Sequence, residues 1–253
     1  MNSHIIKSSV IFSVLQLLLS CNLNTDPELS NEELEINFPD SSRNLYIDDA
    51  SRLALREIFS IGSVDTGKVE IPDDLVNTIY NGLLQIYNSI SSERDSIFNI
   101  YLIHTFRNPS MHNVTISVDS TEDWVKSWRD GNRLTGNEMI DSIMNEYDLE
   151  LEDYREAPWY DSATLFSDLP VNTIALATLF EPVDGVIFFE ANGYGGDGND
   201  VTAADKDTHW EFRFFVKWGD CIAGCISEHY WKFSVHPDGT VEFTGSGGSP
   251  LPF

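Results

Sequence analysis

Residues 229–244 read HYWKFSVHPDGTVEFT: two short runs in which aromatic and β-branched residues alternate with polar ones, separated by Pro237-Asp238-Gly239. A period of two puts every second side chain on one face of a strand. A Pro-Asp-Gly turn joins two such strands into an antiparallel hairpin. Working back toward the N-terminus, His209–Lys217 carries the same alternation, and Gly185–Glu190 is a further β-rich run. These segments predict an antiparallel β-meander over the C-terminal part of the chain.

The preceding half reads differently. Asp48-Asp49 are expected to cap a short helix running through Ala54 and Leu55 to Phe59. Pro72 opens a stronger one, in which Leu75, Ile79, Leu83, Ile86 and Ile90 recur at helical spacing and Asp73 and Asp74 occupy the first turn. Phe98–Phe106, FNIYLIHTF, reads as a strand with Asn113–Val118 as its antiparallel neighbour across a turn at Asn108-Pro109. Further helices are expected around Trp124 and Trp128, after a capping box at Thr135-Gly-Asn-Glu138, and over Leu169–Phe180; Leu149–Tyr154 reads as a strand. The fold expected is therefore α+β, an antiparallel β-meander with helices packed on one face. Residues 46–253 form either a single globular domain or two subdomains, 46–155 and 156–253.

Fifteen basic against 41 acidic side chains give a formal charge of −26, which repels phosphate backbones and makes nucleic acid an unsuitable partner. Lys7 precedes an apolar run from Val10 to Leu19, too short for a membrane span of about 20 residues and suited to a signal-peptide core. The run ends in Leu18-Leu19-Ser20-Cys21, which resembles a bacterial lipobox. That resemblance implies a signal peptide at 1–20, lipidation of Cys21, and a protein exposed to periplasm or cell surface that meets the membrane only through its lipid. Residues 21–45, rich in Asn, Asp, Glu and Ser, read as a flexible acidic tether.

With Cys21 assigned to lipid, Cys221 and Cys225 remain, and an oxidising compartment favours a disulfide between them. A metal site would take them with His209 or His229; a redox centre would want Cys-x-x-Cys spacing, missed here by one residue. Gly219-Asp220-Cys221-x-x-Gly224-Cys225 with His229-x-Trp231-x-Phe233 resembles a motif of uncharacterised secreted and lipid-anchored bacterial proteins, Ile222 standing where that group has proline. The resemblance implies location and a Cys221–Cys225 bridge, and no activity.

Two site readings follow. The segment Gly193–Asp200, with Asp205 and Asp207, gathers oxygen ligands on glycine-rich backbone, so Asp197, Asn199, Asp200, Asp205 and Asp207 are calcium candidates, or else a solvated turn. His209, Glu211, Asp220 and His229 would serve proton transfer if their strands bring them together, the basis of a periplasmic or surface hydrolase. No serine-hydrolase elbow or His-Glu-x-x-His is present, so the leading expectation is a non-catalytic binding protein of the cell envelope.

Overall fold

The computed structural model describes residues 40–252, with side chains from Arg43 onward. The signal peptide expected at 1–20, the lipidation expected at Cys21 and the tether expected up to residue 39 lie outside the described residues. The chain builds two four-stranded antiparallel sheets with helices packed on one face, an α+β fold.

Helix α1, Asp40–Ser60, starts eight residues before Asp48 and takes in residues 40–45, which the acidic composition assigns to the tether. Asp49 to Leu55 are buried without a break, so the middle of this helix is enclosed on all sides, while its ends carry exposed residues such as Leu45 and Phe59. Helix α2, Asp73–Asn88, packs beside it behind Pro72, burying Ile79, Tyr80, Leu83, Leu84 and Ile86. It stops before Ile90, which is fully exposed rather than part of the apolar face. A short helix α3, Ser92–Asp95, continues into a π-helical turn over Ser96–Ile100.

Sheet A has the order β2-β3-β1-β4, from β1 (Asn113–Val118), β2 (Glu150–Arg155), β3 (Asp161–Phe166) and β4 (Val186–Ala191). Val114, Ile116, Val118, Ala163 and Leu165 pack against α4 (Val125–Arg129), α5 (Glu138–Glu146) and α6 (Thr173–Thr178), with Trp128 and Phe180 filling the centre. Asn137, not Thr135, caps α5: its Oδ1 accepts from the amides of Met139 and Ile140, while Thr135 is bound to Asp141. Asn172 caps α6, which replaces the longer helix expected from Leu169 to Phe180. A boundary at 155/156 would cut the β2–β3 pair, so the subdomain division does not follow the fold.

Sheet B is a true meander, β5 (Asp200–Asp205), β6 (Trp210–Trp218), β7 (Ser227–Val235) and β8 (Val241–Gly248). β4 belongs to the other sheet, and β5 begins inside the expected glycine-rich loop. Phe212, Phe214 and Val216 of β6 and Trp231, Phe233 and Val235 of β7 lie under α1 and α2 in one core. The Pro237-Asp238-Gly239 turn is closed by the His236 amide on the Thr240 carbonyl, with Asp238 accepting from the Thr240 amide and Gly239 at φ +83°. Cys221 and Cys225 are joined in a disulfide across the β6–β7 connection, with Gly224 at φ +112° supplying the reversal. A ring this small contributes about 2 kcal/mol in the loop-entropy model, so it shapes the turn more than it holds the domain.

Phe98–Phe106 is not a strand. After the π turn, residues 103–112 run as an extended strap in which backbone groups of Thr105, Phe106 and Pro109 are met by side chains instead of a neighbouring strand. Asp49 accepts from the Thr105 amide (2.8 Å), and Asp200 accepts from the Phe106 amide (2.8 Å). Arg56 donates to the Phe106 carbonyl, and Arg52 donates to the Pro109 carbonyl. At its far end the strap joins sheet A: the Ser110 amide reaches the Asn192 carbonyl, and the His112 carbonyl accepts from Ser167.

Candidate functional site: a cleft with two histidine–aspartate pairs

Where α1, the strap and the end of sheet A meet, a cleft of about 260 Å³ is lined by Asp48, Asp49, Arg52, His104, Arg107 and His112, with Leu45, Met111, Phe166 and Tyr194 giving it apolar surface. A wider, more open hollow of about 540 Å³ lies at Thr121–Trp124 and Thr135–Asn137, and no histidine or basic residue lines it. The first cleft is therefore the one with chemistry. Its carboxylates and one of its guanidinium groups come from a single helical face: Arg52 follows Asp48 by four residues and Asp49 by three, neighbours on an α-helix.

Asp49 is the fixed point. Its side chain is 4% exposed, its Oδ1 accepts from the amide and hydroxyl of Thr105 (2.8 and 2.6 Å), and its Oδ2 lies 2.7 Å from His104 Nδ1. A carboxylate in that position accepts a hydrogen bond from Nδ1–H, and a neutral ring donating there carries its lone pair on Nε2. Among the described residues nothing is bonded to that Nε2, and the ring is 29% exposed. Tyr46 packs on the same ring at 4.4 Å between centroids.

His112 is held the opposite way. Nδ1 faces the Ser167 carbonyl at 2.9 Å and Nε2 faces both oxygens of Asp48 at 3.1 and 3.2 Å, so both nitrogens meet acceptors. Only the imidazolium donates at both positions. The Asp48 hydrogen bond raises the His112 pKa, burial opposes it, and the Ser167 carbonyl adds to the rise. Stability from a histidine with a raised folded pKa is full below about 6.5, its ordinary value, and is lost as pH climbs through the folded value. Thermal melts of the wild type and His112→Gln should therefore differ most at mildly acidic pH and converge as the pH rises. A gap that widens with pH would contradict this.

Arg52 donates from Nε to the Thr105 hydroxyl (3.1 Å) as well as to Pro109, pinning the strap from below. Burial, then the neighbouring Arg56, bring its pKa down to about 10, still a cation at neutral pH. Arg107 is different: it lines the cleft, is exposed, and has no ion-pair or hydrogen-bond partner among the described residues.

The residues singled out from the sequence lie elsewhere. Glu211 is on the face of β6 away from the core, paired with Lys232 (2.5 Å) and Arg213 (3.7 Å), and those partners outweigh burial to lower its pKa. His229 has the inward parity of Trp231, its Nδ1 at 3.0 Å from the Ser249 carbonyl. Since His229 pairs with Val216, His209 lies seven residues further along, about 24 Å at 3.4 Å per residue, with its ring beside His236. Asp220 is exposed in the disulfide turn. The four do not converge.

Of the calcium candidates, Asp197 is paired with Lys217 at 2.9 Å, and that bond, against burial, lowers its pKa. Asn199 accepts from the Lys217 amide, and Asp200 is paired with Arg56 at 2.9 Å. Asp205, at the other end of β5 from Asp200, accepts from the Asp207 amide. Among the described residues no group of three or more His, Cys, Asp or Glu side chains is placed to hold a metal ion.

The sequence did hold a signal for the cleft, namely the spacing of Asp48, Asp49, Arg52 and Arg56 together with His104, Arg107 and His112 in one short segment. Comparison of the chain with protein-family models, curated proteins and solved structures finds no match.

Proposed function

We propose that the folded body of this protein binds a small anionic molecule in the Asp48–His112 cleft, and that Cys21 carries the lipid that holds it at the bacterial envelope. The observation that carries the binding reading is Arg107. In a chain with 41 acidic and 15 basic residues, an exposed guanidinium with no partner among the described residues, beside a concave surface, is a site for a carboxylate or phosphate. His112, whose pKa is raised by Asp48, adds a second cation on the cleft wall at mildly acidic pH. The anchor reading is supported by the Leu18-Leu19-Ser20-Cys21 stretch and by the Cys221–Cys225 bridge, which leaves Cys21 as the odd cysteine.

Calorimetric titration with succinate, acetate and inorganic phosphate tests the cleft. One of these anions should bind with one-to-one stoichiometry, and Arg107→Ala should weaken it roughly 10- to 100-fold, the equivalent of one charge-assisted hydrogen bond. Absence of binding, or binding indifferent to Arg107, removes the reading. Intact-protein mass spectrometry of native material tests the anchor, which an unacylated N-terminus would exclude.

A further inference from the structure

The binding reading uses Arg107 and His112 but leaves the most rigidly organised group in the cleft without a task. His104 is aligned by a carboxylate that is itself fixed by an amide and a hydroxyl of the next residue, Thr105. Three hydrogen bonds of 2.6–2.8 Å on one buried aspartate leave it no other orientation. The consequence falls on the far side of the ring: in the neutral ring the lone pair is on Nε2, which has no protein partner among the described residues. A ligand-binding histidine needs neither a fixed tautomer nor a free acceptor nitrogen. A general base needs both.

We propose that His104 is the general base of a hydrolytic site, held in its tautomer by the positioning residue Asp49, and that the substrate is a small ester bearing one carboxylate. This rests on the reading of the cleft as an anion site, because Arg107 is what would hold the substrate carboxylate. One guanidinium without a partner among the described residues matches one carboxylate, whereas a phosphate monoester dianion would bring more charge toward Asp48 and Asp49. The nucleophile is water. Ser110, the serine in the cleft, has its hydroxyl at 2.5 Å from Asn113 Oδ1 and accepts from the His112 amide, so it is turned to other partners.

The step balances without a co-reactant. Water oxygen bonds to the ester carbonyl carbon while His104 Nε2 takes its proton. The tetrahedral intermediate then breaks its bond to the alcohol oxygen, which receives that proton from Nε2. Throughout, Nδ1–H stays on the ring and donates to Asp49, whose carboxylate stabilises the transient imidazolium.

The test uses the full chain with the mono-4-nitrophenyl ester of succinic acid, and with neutral 4-nitrophenyl butyrate as the uncharged comparison. The wild type should hydrolyse the charged ester in preference to the neutral one. His104→Ala should lose roughly 100-fold or more in kcat, the usual scale for a general base, and added imidazole should restore part of it. His104→Gln, which keeps a donor for Asp49, should fold as the wild type does by circular dichroism and remain inactive. Both variants should still bind succinate. Succinate binding without turnover above the variants refutes the catalytic role and leaves the binding reading standing. Loss of both refutes the two together, and turnover undiminished in His104→Ala refutes His104 as the base.

Discussion

Replacing Arg52 with alanine should lower the free energy of unfolding by about 3–5 kcal/mol, the range for removing one partner of a buried charged network. Arg52 is buried, and its guanidinium joins α1 to Thr105 and Pro109 of the strap while facing Asp48 and Asp49. Truncation leaves the Pro109 carbonyl without its donor and both carboxylates short of a cation. A chemical denaturation curve measures the loss directly. Arg52→Lys should fall between, because an ammonium keeps the charge but not the planar fork that reaches a hydroxyl and a carbonyl at once. The same variant should weaken anion binding, since the strap carries His104, Arg107 and His112. A change below about 1 kcal/mol, the value of an exposed pair, would show that the strap is held by something other than Arg52.

Phe212→Ala should cost about as much, roughly 3–5 kcal/mol, for a different reason. Phe212 is fully buried on β6, and its ring fills the space left by Gly82 on α2, where a Cβ would come within 2.5 Å of the ring. Around it Phe214 meets Phe98 and Phe233 edge-on at 5.7 and 6.2 Å. Removing the ring opens a cavity between helix and sheet that a packed core cannot close. Gly82→Ala alone should also destabilise, by about 1–3 kcal/mol through overpacking. In the Phe212→Ala background it should instead cost less or stabilise, because the clash is gone. Unfolding curves for the two single variants and the double variant give the coupling, and strict additivity would refute the contact.

The chain carries two kinds of information, one periodic and one not. Phe212, Phe214, Trp231 and Phe233 recur at period two, so their burial under a helical layer is legible from residues alone. Arg52 is not legible in that way. Its spacing of three and four residues from Asp49 and Asp48 is visible, but that spacing does not say that this stretch of helix is buried or that His104, Arg107 and His112 pack against it, and Asp48-Asp49 look like caps because capping aspartates have the same identity. The cleft was missed for this reason, and the histidines of sheet B, nearer in sequence to a carboxylate, stood out instead.

What the sequence determined by itself was local. The hairpin around Pro237-Asp238-Gly239, the strands on either side of the Cys221–Cys225 bridge, α2 behind Pro72, and the α+β class each rest on side-chain periodicity, turn chemistry or a short covalent ring. Only the tertiary structure decided which strands pair. β3, with its alternating burial, stands between β1 and β2 rather than beside only the strand that precedes it in the chain, and β5 emerges from a stretch of aspartates once β6 offers it a ladder. The strap at 103–112 is the sharpest case. Its composition suits a strand, but backbone amides and carbonyls require partners and do not specify them. Here the partners are Asp49, Arg52, Arg56 and Asp200, on elements 50 or more residues away in sequence from those they bind. Long-range side-chain hydrogen bonding of this kind leaves no periodic trace in a chain, and it is what assembles His104 and His112 beside their aspartates.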